Sequence, residues 1–167
     1  AEVSLALGDL YRVQGEQEQA LRHYQAVIDD PALRWQGLVG RAQVYVDQGQ
    51  EELAMRDFRQ ALRSSPGNAQ VLAELGYQQY RLGHYRDAID SYRKVVALRP
   101  DDPSGLYSHA TALIALGRLD DAEALLDRVI ARAPGDGDAW YNRATLRKQT
   151  PQRNHVAQLE QQLSRLA

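Results

Sequence analysis

Apolar residues recur along this chain at helical spacing, in stretches closed by glycine or proline. Leu7 with Tyr11, Leu38 with Tyr45, Leu72 with Leu75 and Leu106 with Leu113 open successive stretches. Three- and four-residue intervals place such residues on one stripe of a helix, with polar residues on the other side. The stretch 82–100 shows the unit at its clearest. Gly83 ends one helix, Ala88, Tyr92 and Val95 form the stripe of the next, and Pro100 closes it. Ser65-Pro66-Gly67-Asn68 and Pro134-Gly135-Asp136-Gly137 are breakers of the same kind. The pattern predicts an all-α chain of helix, turn, helix units.

These units keep a fixed period. Gly15, Gly49, Gly83 and Gly117 are each 34 residues apart. So are Ala20, Ala54, Ala88 and Ala122, and the large apolar Tyr24, Phe58, Tyr92 and Leu126. Pro66, Pro100 and Pro134 keep the same step, with Pro31 one place early. A small residue recurs inside each first helix at Gly8, Ala42, Gly76, Ala110 and Ala144, where two helices are expected to approach closely. A period of this length marks a stacked repeat. The repeats are expected at about 1–34, 35–68, 69–102 and 103–136, with a partial repeat and cap over 137–167, all in a single domain. In the fifth unit Pro151 stands where glycine stood before. The helix expected over 154–167 carries Val156, Leu159, Leu163 and Leu166 on one side and glutamines on the other, as a terminal capping helix should.

The residues at these fixed places resemble the tetratricopeptide repeat, whose first helix carries a Trp-Leu-Gly-Tyr pattern and whose second carries Ala-Phe-Ala-Pro. Trp140 matches the Trp place. Leu7, Gly8, Tyr11, Ala20, Tyr24 and Val27 match in the first repeat, and Tyr45, Ala54, Phe58, Ala61 and Pro66 in the second. Leu75, Gly76, Tyr85, Ala88, Tyr92, Val95 and Pro100 match in the third, and Ala110, Ala122, Val129 and Pro134 in the fourth. The resemblance implies a right-handed superhelix of about five antiparallel helix pairs, the last irregular and capping. It implies a protein–protein interaction scaffold, rarely catalytic, that binds a peptide or protein segment in a concave groove lined by the first helices. Tyr11, Tyr24, Tyr45 and Tyr92 stand at pattern places and are expected in the core.

A second resemblance lies in the tail. Residues 140–143, 146–151 and 154–160 are similar to the junction of bacterial proteins in which these repeats precede a sulfotransferase domain. It implies a non-catalytic repeat domain of a larger enzyme, docking a substrate or mediating oligomerisation. The chain opens without Met inside a helical pattern, and is expected to be part of a longer protein. Self-assembly through exposed helix faces, giving a homo-oligomer, is a third reading.

In this family places two, five, nine and twelve of each first helix face the groove. They hold Glu2, Leu5, Asp9 and Arg12, then Gln36, Val39, Gln43 and Val46, then Gln70, Ala73, Tyr77 and Tyr80. Ser104, Tyr107, Thr111 and Ile114 follow, then Asp138, Tyr141, Thr145 and Lys148. No charge sign dominates. Four tyrosines cluster toward the C-terminal part, and an aromatic with a polar tip gives contact area at small entropic cost. The candidate peptide-binding residues are therefore Tyr77, Tyr80, Arg81, Tyr107, Thr111, Tyr141, Asn142 and Lys148. The alternative for each tyrosine is packing on the neighbouring repeat. Some tetratricopeptide domains grip a chaperone's terminal carboxylate with lysine, asparagine and arginine. Here those places hold Leu5, Asp9, Gly40, Gln70 and Glu74, none of the required type.

Composition removes several classes. A net charge of −2 gives no field that would steer the chain to nucleic acid, and no apolar run is long enough for membrane insertion. With no cysteine there is no disulfide and no thiolate metal site. His23, His84, His109 and His155 lie in different repeats at no ligand spacing, so no metal and no cofactor is expected. Ser108 and His109 are helix neighbours pointing about 100° apart, which suits packing and not a nucleophile pair. The pairs Asp29-Asp30, Asp101-Asp102 and Asp120-Asp121 read as helix caps.

Overall fold

The computed structural model describes residues 1–147, 154 and 156–166. Ten helices are present among them, and no strand. They are α1 (Glu2–Val13), α2 (Gln17–Ile28), α3 (Arg34–Asp47), α4 (Glu51–Ser64), α5 (Ala69–Arg81), α6 (Tyr85–Leu98), α7 (Pro103–Ala115), α8 (Leu119–Arg132), α9 (Gly137–Thr145) and α10 (Val156–Leu166). The all-α repeat of helix pairs expected from the pattern is the observed architecture. Contacts divide the chain into two compact units, Ala1–Leu75 and Gly76–Ala167.

The turn inside each pair has one design. Gly15, Gly49, Gly83 and Gly117 all take positive φ, between 72° and 80°. That lets the helix end in paired backbone bonds. In the first turn Gly15 N–H reaches Arg12 C=O at 3.1 Å and Glu16 N–H reaches Tyr11 C=O at 2.9 Å. The same two bonds recur at Gly49 and Gln50, at Gly83 and His84, and at Gly117 and Arg118. They satisfy carbonyls that the helix end would otherwise leave open.

The starts of the first helices are less uniform. Asn68 accepts from the backbone of Gln70 and Val71, Asp102 from Ser104, and Asp136 from Ala139. Of the aspartate pairs, Asp101-Asp102 supplies the expected cap through Asp102, while Asp101 accepts from Arg132. The other two pairs differ. Asp30 accepts from Ala32 N–H at 3.0 Å inside a turn, and the residue at the N-cap of α3 is Leu33. Asp120 and Asp121 lie within the first turn of α8, where they favour the dipole, but Asp120 pairs with Arg147 and Asp121 with Arg118. Arginines within reach take these carboxylates from the backbone.

The core follows the period. Ala20, Ala54, Ala88 and Ala122 are wholly buried, as are Tyr24, Phe58 and Leu126, with Tyr92 nearly so. Small residues set the helix spacing. A Cβ on Gly8 would stand 2.7 Å from Tyr24 Cε1, and one on Gly76 would stand 2.9 Å from Tyr92 Cε1. Gly40 meets the same Tyr24 ring from α3 and would overlap it if it carried a Cβ. The Tyr24 ring is thus held between two glycines, and its hydroxyl donates to Asp9 Oδ1 at 2.7 Å. Burial first, then Asp9, pushes this phenol well above its ordinary range.

Two places expected in the core are only half buried. Tyr11 stacks on His23 with centroids 5.4 Å apart, and Tyr45 lies under Arg41. Both sit in the last turn of a first helix, at the open edge of the hairpin. In the irregular fifth unit α9 is only nine residues long. In α10, expected as a cap, Leu159 is half buried while Val156 and Leu163 stay 57% and 68% exposed. Pro151 and its neighbours lie outside the described residues.

Candidate functional site

The groove places of the second unit are drawn together in pairs. Asn142 Nδ2 donates to the Tyr107 hydroxyl at 2.7 Å, which joins α9 to α7. Burial, then Asp138 and Asp136, raise the Tyr107 phenol above its usual value, so it stays protonated. The Arg81 guanidinium lies 5.9 Å from the Tyr77 ring centroid. Tyr80 is half buried, tilted against Tyr85 at 5.4 Å, and packs on the cluster of Ala88, Tyr92 and Leu113. Tyr77 and Tyr141 are the open ones, at 51% and 69% exposure. Thr111 turns its hydroxyl back to Ser108 C=O at 2.9 Å. Lys148 lies outside the described residues.

The tyrosines therefore divide. Tyr80 and Tyr107 pack on their neighbours, and Tyr77 and Tyr141 present rings to solvent. Asn142 spends one of its two amide N–H donors on Tyr107, which leaves the second N–H and the carbonyl oxygen to offer a ligand.

The first unit holds a formed cleft of about 530 Å³. Leu5, Asp9 and Arg12 of α1 form one wall, and Gln36, Val39 and Gln43 of α3 the other. Gln70, Trp35 and Gly40 complete it. Seven of these nine residues stand at places two, five, nine or twelve, so the facing read from the period holds here. The cleft exists because α3 offers no side chain at Gly40 and sinks toward Tyr24.

Its electrostatics are balanced. Asp9 is held by the Tyr24 hydroxyl, and Arg12 Nη1 lies 3.7 Å from Asp47. Two polar atoms in the walls are unsatisfied: Arg12 Nε, a donor, and Gln36 Oε1, an acceptor, are buried without a hydrogen-bond partner. A buried polar group without a partner is costly, and such groups are uncommon in folded proteins. Sequence reasoning placed these residues on the groove face but chose the tyrosines, because glutamine and valine carry no marked chemistry. The signal available was Gly37 and Gly40 together in one helix.

Two family models, both described as tetratricopeptide repeat, match residues 5–69 and 79–146. The chain belongs to the tetratricopeptide repeat family. The second match ends at residue 146, inside the 140–160 stretch in which the sulfotransferase junction was read, and nothing in either match carries that reading. Solved structures agree on the fold. The crystal structure of MamA superposes with a TM-score of 0.74 at 20% identity, over 87% of this chain and 79% of that one. YrrB, described as a tetratricopeptide repeat protein with an unusual peptide-binding site, gives 0.71 at 24%, over 86% and 74%. The first tetratricopeptide domain of Spaghetti (RPAP3), bound to the HSP90 peptide SRMEEVD, gives 0.60 at 20%, over 65% and 86%. No curated protein matches the chain. Among the described residues of this repeat protein no group of His, Asp and Glu is placed to hold a metal ion, and no helix is long and apolar enough to cross a membrane.

Proposed function

We propose that this chain is a protein-interaction scaffold that binds an extended peptide segment along the groove face of its first helices. The observation that carries the reading is the cleft of the first unit, where apolar Leu5, Trp35 and Val39 stand beside polar Asp9, Arg12, Gln36 and Gln43. A peptide backbone supplies C=O and N–H groups for the polar side chains of such a cleft. Leu5, Trp35 and Val39 offer apolar area to one side chain of the peptide. In the second unit Tyr77 and Tyr141, at groove places of their own helices, act as aromatic anchors, Arg81 lies by Tyr77, and Asn142 and Lys148 are further candidate contacts. The peptide is of mixed composition, because Asp9 and Arg12 offset each other. A chaperone's acidic tail is not the expected ligand, since the carboxylate-gripping residues are replaced by Leu5, Asp9, Gly40, Gln70 and Glu74. YrrB and the Spaghetti domain, described as peptide-binding, support the class of ligand and not its sequence.

The test is selection of peptides from a random library on the immobilised chain, followed by affinity measurement on variants. Gln36→Ala and Arg12→Ala should each weaken a selected peptide by about 1 kcal/mol or more, and Tyr77→Ala with Tyr141→Ala by about 2 kcal/mol. Binding should change little with salt, because the cleft carries no net charge. Selected peptides that bind these variants normally, but lose affinity to substitutions on α4 and α6, would move the working surface to the second helices.

A further inference from the structure

Place seven of a first helix meets the neighbouring second helices, and the period lets its occupants be compared. Arg41 at this place reaches Asp57 of α4 at 2.6 Å. Arg143 at this place reaches Asp127 and Glu123 of α8 at 2.6 and 2.8 Å. In both cases a carboxylate on a second helix answers the cation. His109 holds the same place in the fourth repeat. There the positions corresponding to Asp57, Asp127 and Glu123 hold Leu125, Arg93 and Ile89. Leu125 and Ile89 belong to the apolar cluster around Ala88 and Leu113. This repeat supplies no carboxylate where the other two do.

Cations collect there instead. The charges of Arg118, Arg93 and Arg128 all act on the half-buried His109 imidazole and lower its pKa, with Asp121 opposing. Arg118 pairs with Asp121, and Arg93 with Asp90 at 2.8 Å, and both pairs are exposed. Arg128 of α8 donates to Pro100 C=O at 2.7 Å, a neutral group. Lys94 follows Arg93 on α6 and stands at the place of Arg128 one repeat earlier. Both are exposed, and neither has a carboxylate partner among the described residues. In the first two repeats that place holds Ala26 and Gln60, so the basic pair is particular to α6 and α8.

We propose that this face of α6 and α8 docks an acidic segment of a partner protein, whose carboxylates take the place beside Arg93, Lys94 and Arg128 that the repeat leaves without an acid. Complementary charge is the reason for this occupant. Asp90 and Asp121 stand among the cations. A nucleic acid would bring a continuous row of phosphates onto these acids, whereas separate carboxylates fall between them. The surface is distinct from the groove, because Lys94 and Arg128 lie on second helices. It also differs in its response to salt, since exposed cations carry the contact and their attraction is screened.

The experiment is fluorescence anisotropy of a labelled peptide of alternating glutamate and glycine, titrated with the whole chain. The peptide should bind at low salt and weaken steeply as salt rises to physiological strength. Lys94→Glu with Arg128→Glu should weaken it about tenfold or more, with the circular dichroism of the parent because both side chains are exposed. Arg59→Glu with Arg63→Glu, exposed on α4, changes the net charge equally and should leave the affinity nearly unchanged at physiological salt. A peptide that does not bind at low salt overturns the proposal. Equal losses from the two variant pairs overturn it as well, since net charge and not this face would then govern binding. A single-stranded oligonucleotide of equal charge that binds more tightly than the peptide overturns the choice of a protein partner.

Discussion

Arg41 Nε donates to Asp57 Oδ2 at 2.6 Å, and Nη2 donates to Oδ1 at 3.0 Å, across α3 and α4. Asp57 has no exposed surface. Arg41 also donates from Nη1 to Gln25 on α2, so one guanidinium ties three helices together. The hydrogen bond to Asp57 raises the Arg41 pKa, against the effect of burial. Three repeats later Arg143 holds the same place and pairs with Asp127, the counterpart of Gln25, and with Glu123. Arg41 thus joins the second helices α2 and α4 across α3, whereas Arg143 ties α9 to α8.

Removing one partner of the buried pair should therefore be severe. Asp57→Ala leaves the Arg41 charge half buried without its carboxylate, and should lower the unfolding free energy by about 3–5 kcal/mol. Replacing both, with Asp57→Leu and Arg41→Met, should recover most of that loss, because two apolar residues need no partner. Urea denaturation of the single variant and the double variant checks this. Equal loss in the double variant would show that the pair is not a coupled unit.

The glycine places should respond to volume. Gly76→Leu and Ala110→Leu each force a side chain into a closed contact, Gly76 against the Tyr92 ring, and should cost about 1–3 kcal/mol. Gly40→Ala should be destabilising although it adds one carbon, because the Tyr24 ring already fills that space. Tyr24→Leu should partly rescue Gly40→Ala, since it removes the ring that clashes. Thermal melts of the double-mutant cycle measure the coupling, and strictly additive losses would contradict the contact.

His109 gives the chain a pH dependence. Burial first, then Arg118 and Arg93, lower its pKa below the ordinary 6.5, with Asp121 opposing. Its Nδ1 is buried without a hydrogen-bond partner, which leaves the imidazolium unsupported. The unfolded chain takes up this proton at higher pH than the folded chain. Stability should therefore be unaffected by His109 well above 6.5 and should fall as pH drops through 6.5 toward the lower folded value. His109→Gln should flatten that part of the curve. Melting temperatures of both proteins above and below 6.5 test it, and parallel curves would remove His109 as the cause.

The sequence by itself determined the helices, their turns and their stacking order. Those features are local or periodic. Gly15, Gly49, Gly83 and Gly117 end helices wherever they stand, and Ala20 or Tyr24 repeat at a step that only stacked pairs explain. The facing of places two, five, nine and twelve followed from the same period and family pattern, and in the first unit it holds in the cleft. What the sequence left undecided depends on how near a neighbour comes. Asp57 reads as an ordinary surface acid until Arg41 is found beside it, and Asp120 reads as a cap until Arg147 takes it. Tyr80 and Tyr107 look like Tyr77 and Tyr141 in the chain, yet neighbouring side chains cover the first two and leave the others bare. The cleft arises because Gly40 lets α3 sink toward Tyr24. An absent side chain shapes a cavity only through what surrounds it, and that is a property of the packed structure.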